Sequence, residues 1–323
     1  GAVAVVVVSE DMSILRSRMK PWLMRKSLRL DREEPKEREG TRIPTFMVDA
    51  GATDGWWSAA DVKSWKKWSK KLAKGKAPDA VDLVEASWMF SLERTEEAVI
   101  GQNVLGYIPG SDSLLREELI VITAHYDHVG IIDGEIHNGA DDDGSGTVTV
   151  LELSQAFQEA VKAGKGPKRS VLLMTVVGEE KGLLGSEWYA DHPIWPLEQT
   201  VANLNIDMIG RVDEAHPDDD RYVYLIGSDK LSSELHDISE TANATYTNLA
   251  LDYTFNAPDD PNRFYYRSDH YNFAKNNIPV IFYFSGVHED YHRPGDDPNR
   301  STRSGDPSFV LLLFLLITCH DPI

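Results

Sequence analysis

The order of apolar runs along the second part of the chain constrains the fold more than any other feature. Five short runs have the length and composition of buried β-strands: 119–124, 170–177, 201–206, 222–226 and 278–284. Stretches with apolar residues at helical spacing lie between or before them: 147–163, 183–191, 230–244 and 268–276. Such alternation is typical of a parallel sheet with helices on both faces. It predicts a three-layer α/β/α domain with a mostly parallel central sheet.

Residues 1–90 are expected to form a separate, smaller domain. Two apolar runs, 2–8 and 43–48, are strand candidates. The stretch 59–74 carries apolar residues at helical spacing with lysines opposite, which predicts a half-buried surface helix. We therefore expect a small domain over 1–90 and the α/β domain over 91–323.

Charge and cysteine content exclude several classes of protein. The 323 residues carry a formal net charge of -19 at pH 7, which disfavours nucleic-acid binding because phosphates would be repelled. The single cysteine, Cys319, excludes an internal disulfide and a cysteine-based zinc knuckle. The late apolar run 309–317 is shorter than the roughly 18 residues that a bilayer-spanning helix needs. We expect neither a nucleic-acid partner nor a membrane span.

Side chains that suit zinc lie in five separate segments, and four of them follow a predicted strand. They are His125, Asp142, Glu180, Asp207 and His292. In open α/β sheets, ligands gather beyond the carboxyl ends of the strands, so we expect these side chains to converge. Two imidazoles and three carboxylates suffice for a pair of divalent ions that share one bridging carboxylate. The pattern is typical of a metallohydrolase.

Residues beside these candidates suggest supporting roles. Asp127 is suited to hold the second ring nitrogen of a metal-bound His125, whereas His128 is expected to lie outside the site. Glu179 precedes Glu180, so one glutamate can bind metal while its neighbour takes a proton from water. Each motif alone also fits a plainer role: a structural histidine, a surface pair of glutamates, or an Asp-rich turn that caps a helix. The set as a whole favours the metal interpretation.

Six segments in this order resemble the M28 family of zinc aminopeptidases and carboxypeptidases, which includes bacterial leucyl aminopeptidases. They are AHYDH, GADDDGSG, GEEKGLLGS, NIDMIG, RSDHYNF and DYHRPGD, and they cover residues from about 91 to 298. The resemblance implies that Asp142 bridges two zinc ions. It implies that the remaining ligands complete the two sites in pairs, His125 with Asp207 and Glu180 with His292.

The resemblance also implies roles for residues that do not bind metal. Glu179 would be the general base and Asp127 the residue behind His125. Tyr265, three residues before the SDH segment, would steady the tetrahedral oxyanion. The SDH segment itself, with Asp269 and His270, would shape the pocket.

The two ends of the chain are less typical of the family. Residues 1–90 resemble the protease-associated insert that some members carry beside the catalytic domain, here without its beginning. Relatives with such inserts are often exported, which implies a periplasmic or secreted location. After Pro298 the family usually continues into a helix that closes the sheet. Residues 301–323 do not read as amphipathic, so an atypical C-terminal segment is expected.

The chain is therefore expected to be a zinc-dependent exopeptidase. An aminopeptidase that removes N-terminal residues from peptides, through a hydroxide bound to two zinc ions, is the leading hypothesis. One alternative is a transferase similar to glutaminyl-peptide cyclase, with a single zinc. Another is a catalytically impaired binding ectodomain on the same scaffold. Because all five candidate ligands are present, we favour two metals and a peptide substrate with a free N-terminus.

Overall fold

The chain folds into two compact units, Gly1–Ala98 and Val99–Ile323. The computed structural model describes residues 4–9, 12–13, 17, 26–32, 43–53, 70–71, 73–76, 89, 95–300 and 308–318. The predicted domains, 1–90 and 91–323, stay predictions, as does the resemblance of the first one to a protease-associated insert.

In the first unit, two short strands pair in parallel. They are β1 (Val5–Ser9) and β2 (Thr45–Asp49), with Val5 opposite Thr45. The ends of each strand differ by one to three residues from those of the predicted runs, 2–8 and 43–48. Both runs are rich in β-branched or aromatic residues, which favour strands. The helix predicted over 59–74 lies largely outside the described residues.

In the second unit, the described residues contain nine strands. They are β3 (Val104–Ile108), β4 (Leu119–His125), β5 (Gly130–Ile132), β6 (Glu135–His137), β7 (Ser170–Val176), β8 (Thr200–Ile206), β9 (Tyr222–Ile226), β10 (Ala250–Asp252) and β11 (Val280–Phe284). Seven of them form one sheet in the order β10–β9–β11–β8–β4–β7–β3, while β5 and β6 form a separate hairpin. Strand β4 pairs in parallel with β7 and β8, β8 with β11, and β9 with β10. Only the β3–β7 and β9–β11 pairs of this sheet are antiparallel. The predicted mostly parallel sheet is confirmed.

Helices cover both faces of the sheet. They are α1 (Gly146–Lys162), α2 (Leu184–Asp191), α3 (Ser233–Ala242), α4 (His270–Ala274) and α5 (Ser308–Thr318). Helices α1, α3 and α5 pack with Ile120 and Ile122 on one face. Residues of α2 and α4 pack with Leu119 and Val121 on the other. Because alternate residues of each strand enter different cores, the strands read as continuous apolar runs. The three-layer architecture is confirmed.

The C-terminal segment forms a helix that its sequence pattern does not reveal. Helix α5 buries five side chains in the core that it shares with α1 and α3: Phe309, Leu312, Leu313, Leu316 and Ile317. Their spacing is that of a single helical face. This buried face cannot be recognised in the sequence, because the other positions of α5 are also apolar. The two sides of the helix therefore differ little in hydrophobicity. None of the helices in the described ranges is long and apolar enough to cross a bilayer.

Candidate metal centre

The five predicted ligands meet at one edge of the sheet. His125 is the last residue of β4, Asp207 directly follows β8, and Glu180 lies in the turn after β7. His292 lies in the loop after β11, and Asp142 lies in the turn that precedes α1. Strands β4, β7 and β8 are parallel neighbours, so their carboxyl ends deliver these side chains to the same place.

The two carboxylate oxygens of Asp142 face two different groups. Oδ1 lies 3.2 Å from His125 Nε2, which in turn lies 3.7 Å from Asp207 Oδ1. Oδ2 lies 3.1 Å from His292 Nε2, which lies 3.2 Å from Glu180 Oε1. This is the arrangement that a carboxylate needs in order to bridge two cations.

His128 belongs to the cluster, and the prediction that it lies outside the site is wrong. Its Nδ1 lies 3.0 Å from Glu180 Oε1 and 3.7 Å from Asp142 Oδ2. The ligand atoms of His128, Asp142 and Glu180 lie within 4.8 Å of one another, as do those of His125, Asp142 and Asp207. The sequence offered one indication that His128 could join the site, namely its position three residues after His125. The spacing alone did not show whether the loop turns its side chain inward.

The cluster fits a metal because several of its donor atoms are buried without a hydrogen-bond partner. His125 Nε2, both ring nitrogens of His128 and Glu180 Oε1 are buried without a hydrogen-bond partner. Leaving such groups unpaired costs free energy, and divalent cations would satisfy the atoms that face the cluster, including Nδ1 of His128. Imidazole nitrogens with carboxylate oxygens form the donor set that zinc takes in catalytic sites.

The same contacts perturb ionisation in the metal-free protein. Close contacts with Asp142 and Glu180 raise the pKa of His292 to about 9. Burial opposes ionisation of Glu180, but close contacts with His128 and His292 outweigh it and lower its pKa to about 2. Burial likewise opposes ionisation of Asp142, yet close contacts with His125 and His292 hold its pKa below the usual range. Protons on the imidazoles occupy the positions that cations would take.

Asp127 supports the site differently from the predicted way. His125 Nδ1 donates to the backbone carbonyl of Asp127 at 2.9 Å, while the nearer carboxylate oxygen of Asp127 lies 3.8 Å away. Because a carbonyl only accepts, Nδ1 carries a proton, so Nε2 is the nitrogen that faces Asp142 and that would bind a metal once its own proton is lost. The Asp127 carboxylate instead accepts the backbone N–H of Glu179 at 3.2 Å.

Glu179 lies beside the proposed metal ligands but belongs to neither of the two groups of ligand atoms described above. Its Oε2 is 3.9 Å from His125 Nε2, and its side chain is 12% exposed. Burial raises the pKa of Glu179 well above its ordinary value. A carboxylate with a raised pKa, close to the ligands but free of them, is suited to accept and return a proton.

Each member of the Asp141–Asp143 run has a different partner. Asp143 accepts backbone N–H groups of His125, Gly146 and Met208 at 3.0 to 3.1 Å, which ties β4, α1 and β8 together. Asp141 accepts the N–H of Gly210 at 2.5 Å. Only Asp142 points both oxygens at imidazoles. The run is therefore not the solvated cap that its composition alone would allow.

A buried polar chain fixes the second oxygen of Asp207. Ser268 Oγ donates to Asp207 Oδ2 at 2.6 Å and accepts from Asn205 Nδ2 at 2.8 Å. Thr123 Oγ1 in turn donates to Asn205 Oδ1 at 2.6 Å. These groups lie between apolar cores, so each needs its partner. Because this hydrogen-bond network holds Oδ2, the other oxygen of Asp207, Oδ1, is free to face His125.

The rest of the SDH segment is buried, and its role in shaping the pocket stays a prediction. Ser186 Oγ donates to the Asp269 carboxylate, and the His270 ring stacks on Phe282 at 4.8 Å. Both Asp269 and His270 are fully buried.

A cleft opens beside the cluster, with about 360 Å³ of space. Its lining residues are Asp142, Glu179, Asp207, Met208, Phe264, Arg267, Phe282, Phe284, Val287 and Tyr291. Tyr265 is not among them, and its ring lies over Lys230 Nζ at 5.1 Å. Tyr291 stacks on His292 with 3.9 Å between ring centroids, and burial raises its pKa so that the phenol stays protonated. Sequence reasoning missed Tyr291, although it directly precedes a predicted ligand.

Comparisons with known proteins find peptidases among the similar sequences. A probable glutamate carboxypeptidase of Arthroderma benhamiae is 36% identical over 107 residues, which is 33% of this chain and 14% of that protein. A probable leucine aminopeptidase of Arthroderma otae is 29% identical over 222 residues, which is 68% of this chain and 56% of that protein. The chain thus spans less than two thirds of the length of these relatives.

The fold is also similar to solved structures. A zinc aminopeptidase from Bacillus subtilis superposes with a TM-score of 0.53 at 23% identity, covering 67% of this chain and 49% of that chain. At this level of identity the likeness concerns the fold alone.

The predicted periplasmic or secreted location is wrong. Similar proteins from Phaeosphaeria nodorum, Tuber melanosporum, Pyricularia oryzae and Aspergillus niger are named vacuolar membrane proteases. Those names place these relatives at a vacuolar membrane and not outside the cell. The expectation rested on the insert resemblance, which carries no physical information about location.

The resemblance to a family rests on the α/β unit. The model of peptidase family M28 matches residues 103–309, more than half of the 323 residues. The match runs from just before β3 to the start of α5, and it includes every side chain of the metal cluster. The chain belongs to peptidase family M28.

Proposed function

We propose that the protein is a zinc-dependent exopeptidase, and specifically an aminopeptidase. The observation that carries the proposal is the position of Asp142, whose two oxygens face separate sets of imidazoles and carboxylates at the carboxyl edge of the sheet. Membership of the family supports hydrolysis of peptide bonds. The aminopeptidase assignment follows relatives whose names carry that activity.

We propose the following ligands for the two metal ions. Asp142 would be shared by both ions, His125 and Asp207 would hold one, and Glu180 and His292 would hold the other. His128 is a further candidate for the second ion, because its Nδ1 lies 3.0 Å from Glu180 Oε1. Zinc at these positions would supply the positive charge that acidifies a water molecule and polarises the peptide carbonyl.

Proton transfer is assigned to Glu179. Its carboxylate takes a proton from the attacking water and returns it to the nitrogen of the leaving amine, as a general base and then a general acid. The turn that carries it is held by the Asp127 carboxylate, which accepts the Glu179 N–H. Burial, which raises the pKa of Glu179, favours its holding the proton between the two steps.

A phenol is assigned to the developing oxyanion. Tyr291 lines the cleft with Asp142 and Glu179, and a protonated phenol is a neutral donor suited to this task. Tyr265, the residue that the resemblance implies, is the second candidate. It ranks second because it does not line the cleft and its ring packs against Tyr266 and His270.

Metal content and turnover test the proposal together. We expect two zinc ions per chain by elemental analysis and hydrolysis of aminoacyl anilides that a chelator abolishes and zinc restores. The variant Asp142→Ala should lose both metals, since it removes the shared ligand. One zinc per chain with cyclisation of N-terminal glutamine would favour the cyclase alternative. Full metal loading without turnover of any peptide would favour the binding ectodomain.

A further inference from the structure

The cleft beside the metal cluster has two kinds of wall. Asp142, Glu179 and Asp207 form its acidic end, whereas most of the other lining residues are apolar: Met208, Phe264, Phe282, Phe284 and Val287. Arg267 is the single cationic residue among the lining residues in the described part of the chain. Arg267 is exposed at the edge of this apolar wall, so its guanidinium can give the cleft a charge-selective contact that apolar side chains alone would not supply.

The guanidinium of Arg267 is held in place by two contacts. Its Cζ lies 5.0 Å from the centroid of the Phe264 ring, and Phe264 is itself buried. Its Nη2 donates to the hydroxyl of Tyr291 at 3.3 Å. Stacking on an aromatic face restricts the side chain before any ligand arrives, which lowers the entropy cost of binding.

The charge of Arg267 is not neutralised within the described residues. No ion pair joins its guanidinium to a carboxylate there, although the chain carries a net charge of -19. Arg169, Arg211 and Arg300, by contrast, each lie within 2.6 to 2.9 Å of a carboxylate oxygen. The remaining N–H groups of Arg267 form a planar fork whose geometry matches a carboxylate.

We propose that Arg267 binds a carboxylate of the peptide substrate, so that the protein acts preferentially on acidic substrates. This inference rests on the proposed peptidase function. The carboxylate has two possible sources: the side chain of an N-terminal aspartate or glutamate, or the free C-terminus of a very short peptide. Both present the same planar anion to the guanidinium, and paired substrates separate them.

The test compares substrates that differ only in charge. Glutamyl and glutaminyl anilides form one pair, and leucylglycine and leucylglycinamide form the other. We expect the wild-type protein to prefer the charged member of one pair by about tenfold to a hundredfold in kcat/KM, the range of a charge-assisted hydrogen bond. In Arg267→Met this ratio should fall to near one, while Arg267→Lys should keep part of it.

Arg263 provides a matched control. Its Cζ lies 4.9 Å from the Tyr266 ring, so it also stacks on an aromatic residue, but it does not line the cleft. Arg263→Met should therefore leave the charge ratio unchanged. If Arg267→Met lowers the turnover of charged and neutral substrates by the same factor, Arg267 acts only through Tyr291 and the proposal is overturned. It is equally overturned if the wild-type protein shows no charge preference in either pair.

A binding measurement separates failure of this inference from failure of the proposed function. Calorimetry on the zinc-loaded Glu179→Gln protein should give a smaller Kd for glutamate than for glutamine, or for leucylglycine than for leucylglycinamide, and the difference should vanish when Arg267→Met is added. Charge-dependent binding without turnover would refute the peptidase assignment and retain the role of Arg267. Turnover without charge-dependent binding would refute Arg267 alone.

Discussion

The Asp296 carboxylate holds the backbone of Asp142. Its Oδ2 accepts the N–H of Asp142 at 3.1 Å, and its Oδ1 accepts the N–H of Asp141 at 2.9 Å. The backbone carbonyl of Asp296 accepts a third N–H, from Ala140, at 3.3 Å. Because Asp296 lies four residues after His292, it joins the loop of one ligand to the turn of another. Asp296 is fully buried, so these contacts are not shared with solvent.

Asp296→Ala should weaken metal binding more than folding. Loss of groups that orient metal ligands typically costs tenfold to a hundredfold in metal affinity. We expect a loss of that order in zinc affinity, measured by competition with a chromophoric chelator. Asp297→Asn, at the next and partly exposed position, serves as the control. Unchanged zinc affinity in Asp296→Ala would show that the bridging carboxylate does not depend on this contact.

Glu179→Gln should keep both metals and lose most turnover. The amide preserves the shape of the side chain but cannot accept the proton, and a general base is typically worth about 10² to 10⁴ in rate. Glu180→Gln, one residue on, should instead lose metal, because it alters a ligand. Elemental analysis and kcat on both variants check the distinction. An active glutamine variant at position 179 would refute the base assignment.

Tyr291→Phe should lower kcat more than Tyr265→Phe does. Only Tyr291 lines the cleft, and removal of an oxyanion donor costs about 10² to 10³ in kcat. The Km for a small anilide should change less, since the contact forms in the transition state. A larger kcat loss in Tyr265→Phe would restore the assignment that the family resemblance implies.

Metal-free protein should lose stability as the pH rises from about 6.5 to about 9. The pKa of His292 is raised to about 9 by Asp142 and Glu180, so its contribution to stability is fully present below the unfolded value of about 6.5. It is lost as the pH passes through the folded value. Urea unfolding in the presence of chelator measures the effect, which should be smaller in His292→Gln.

With zinc present the pH trend should reverse. Metal binding requires deprotonated imidazoles, so zinc affinity should rise over the interval in which His292 loses its proton. A zinc affinity independent of pH between about 6.5 and 9 would contradict this assignment of His292.

Leu313→Ala should destabilise the α/β unit by about 3 kcal/mol, the usual cost of removing a fully buried leucine side chain. Leu313 is fully buried in the core between α5 and the sheet, whereas Leu311 in the same helix is 40% exposed. Leu311→Ala should therefore cost much less. Equal losses in the two variants, measured by the free energy of unfolding, would show that α5 does not pack as described.

Much of the fold could be predicted from the sequence, because the apolar runs coincide with the strands that are buried in the sheet. Strands β4, β7 and β8 are buried on both faces, so their apolar runs gave their positions to within a residue or two. The order of strands and helices then indicated the parallel sheet and the edge at which ligands meet. By contrast, helix α5 could not be recognised, since its exposed and buried faces are chemically alike.

For the site, the sequence by itself determined which residue types follow the strands, and hence His125, Glu180 and Asp207 as candidates. It could not determine which side chains in irregular loops turn inward. His128 enters the cluster, Tyr291 lines the cleft and Asp296 holds the Asp142 turn only because loops distant in sequence close on one another. The paths of such loops depend on long-range hydrogen bonds, which leave no periodic trace in the sequence, whereas strand burial does.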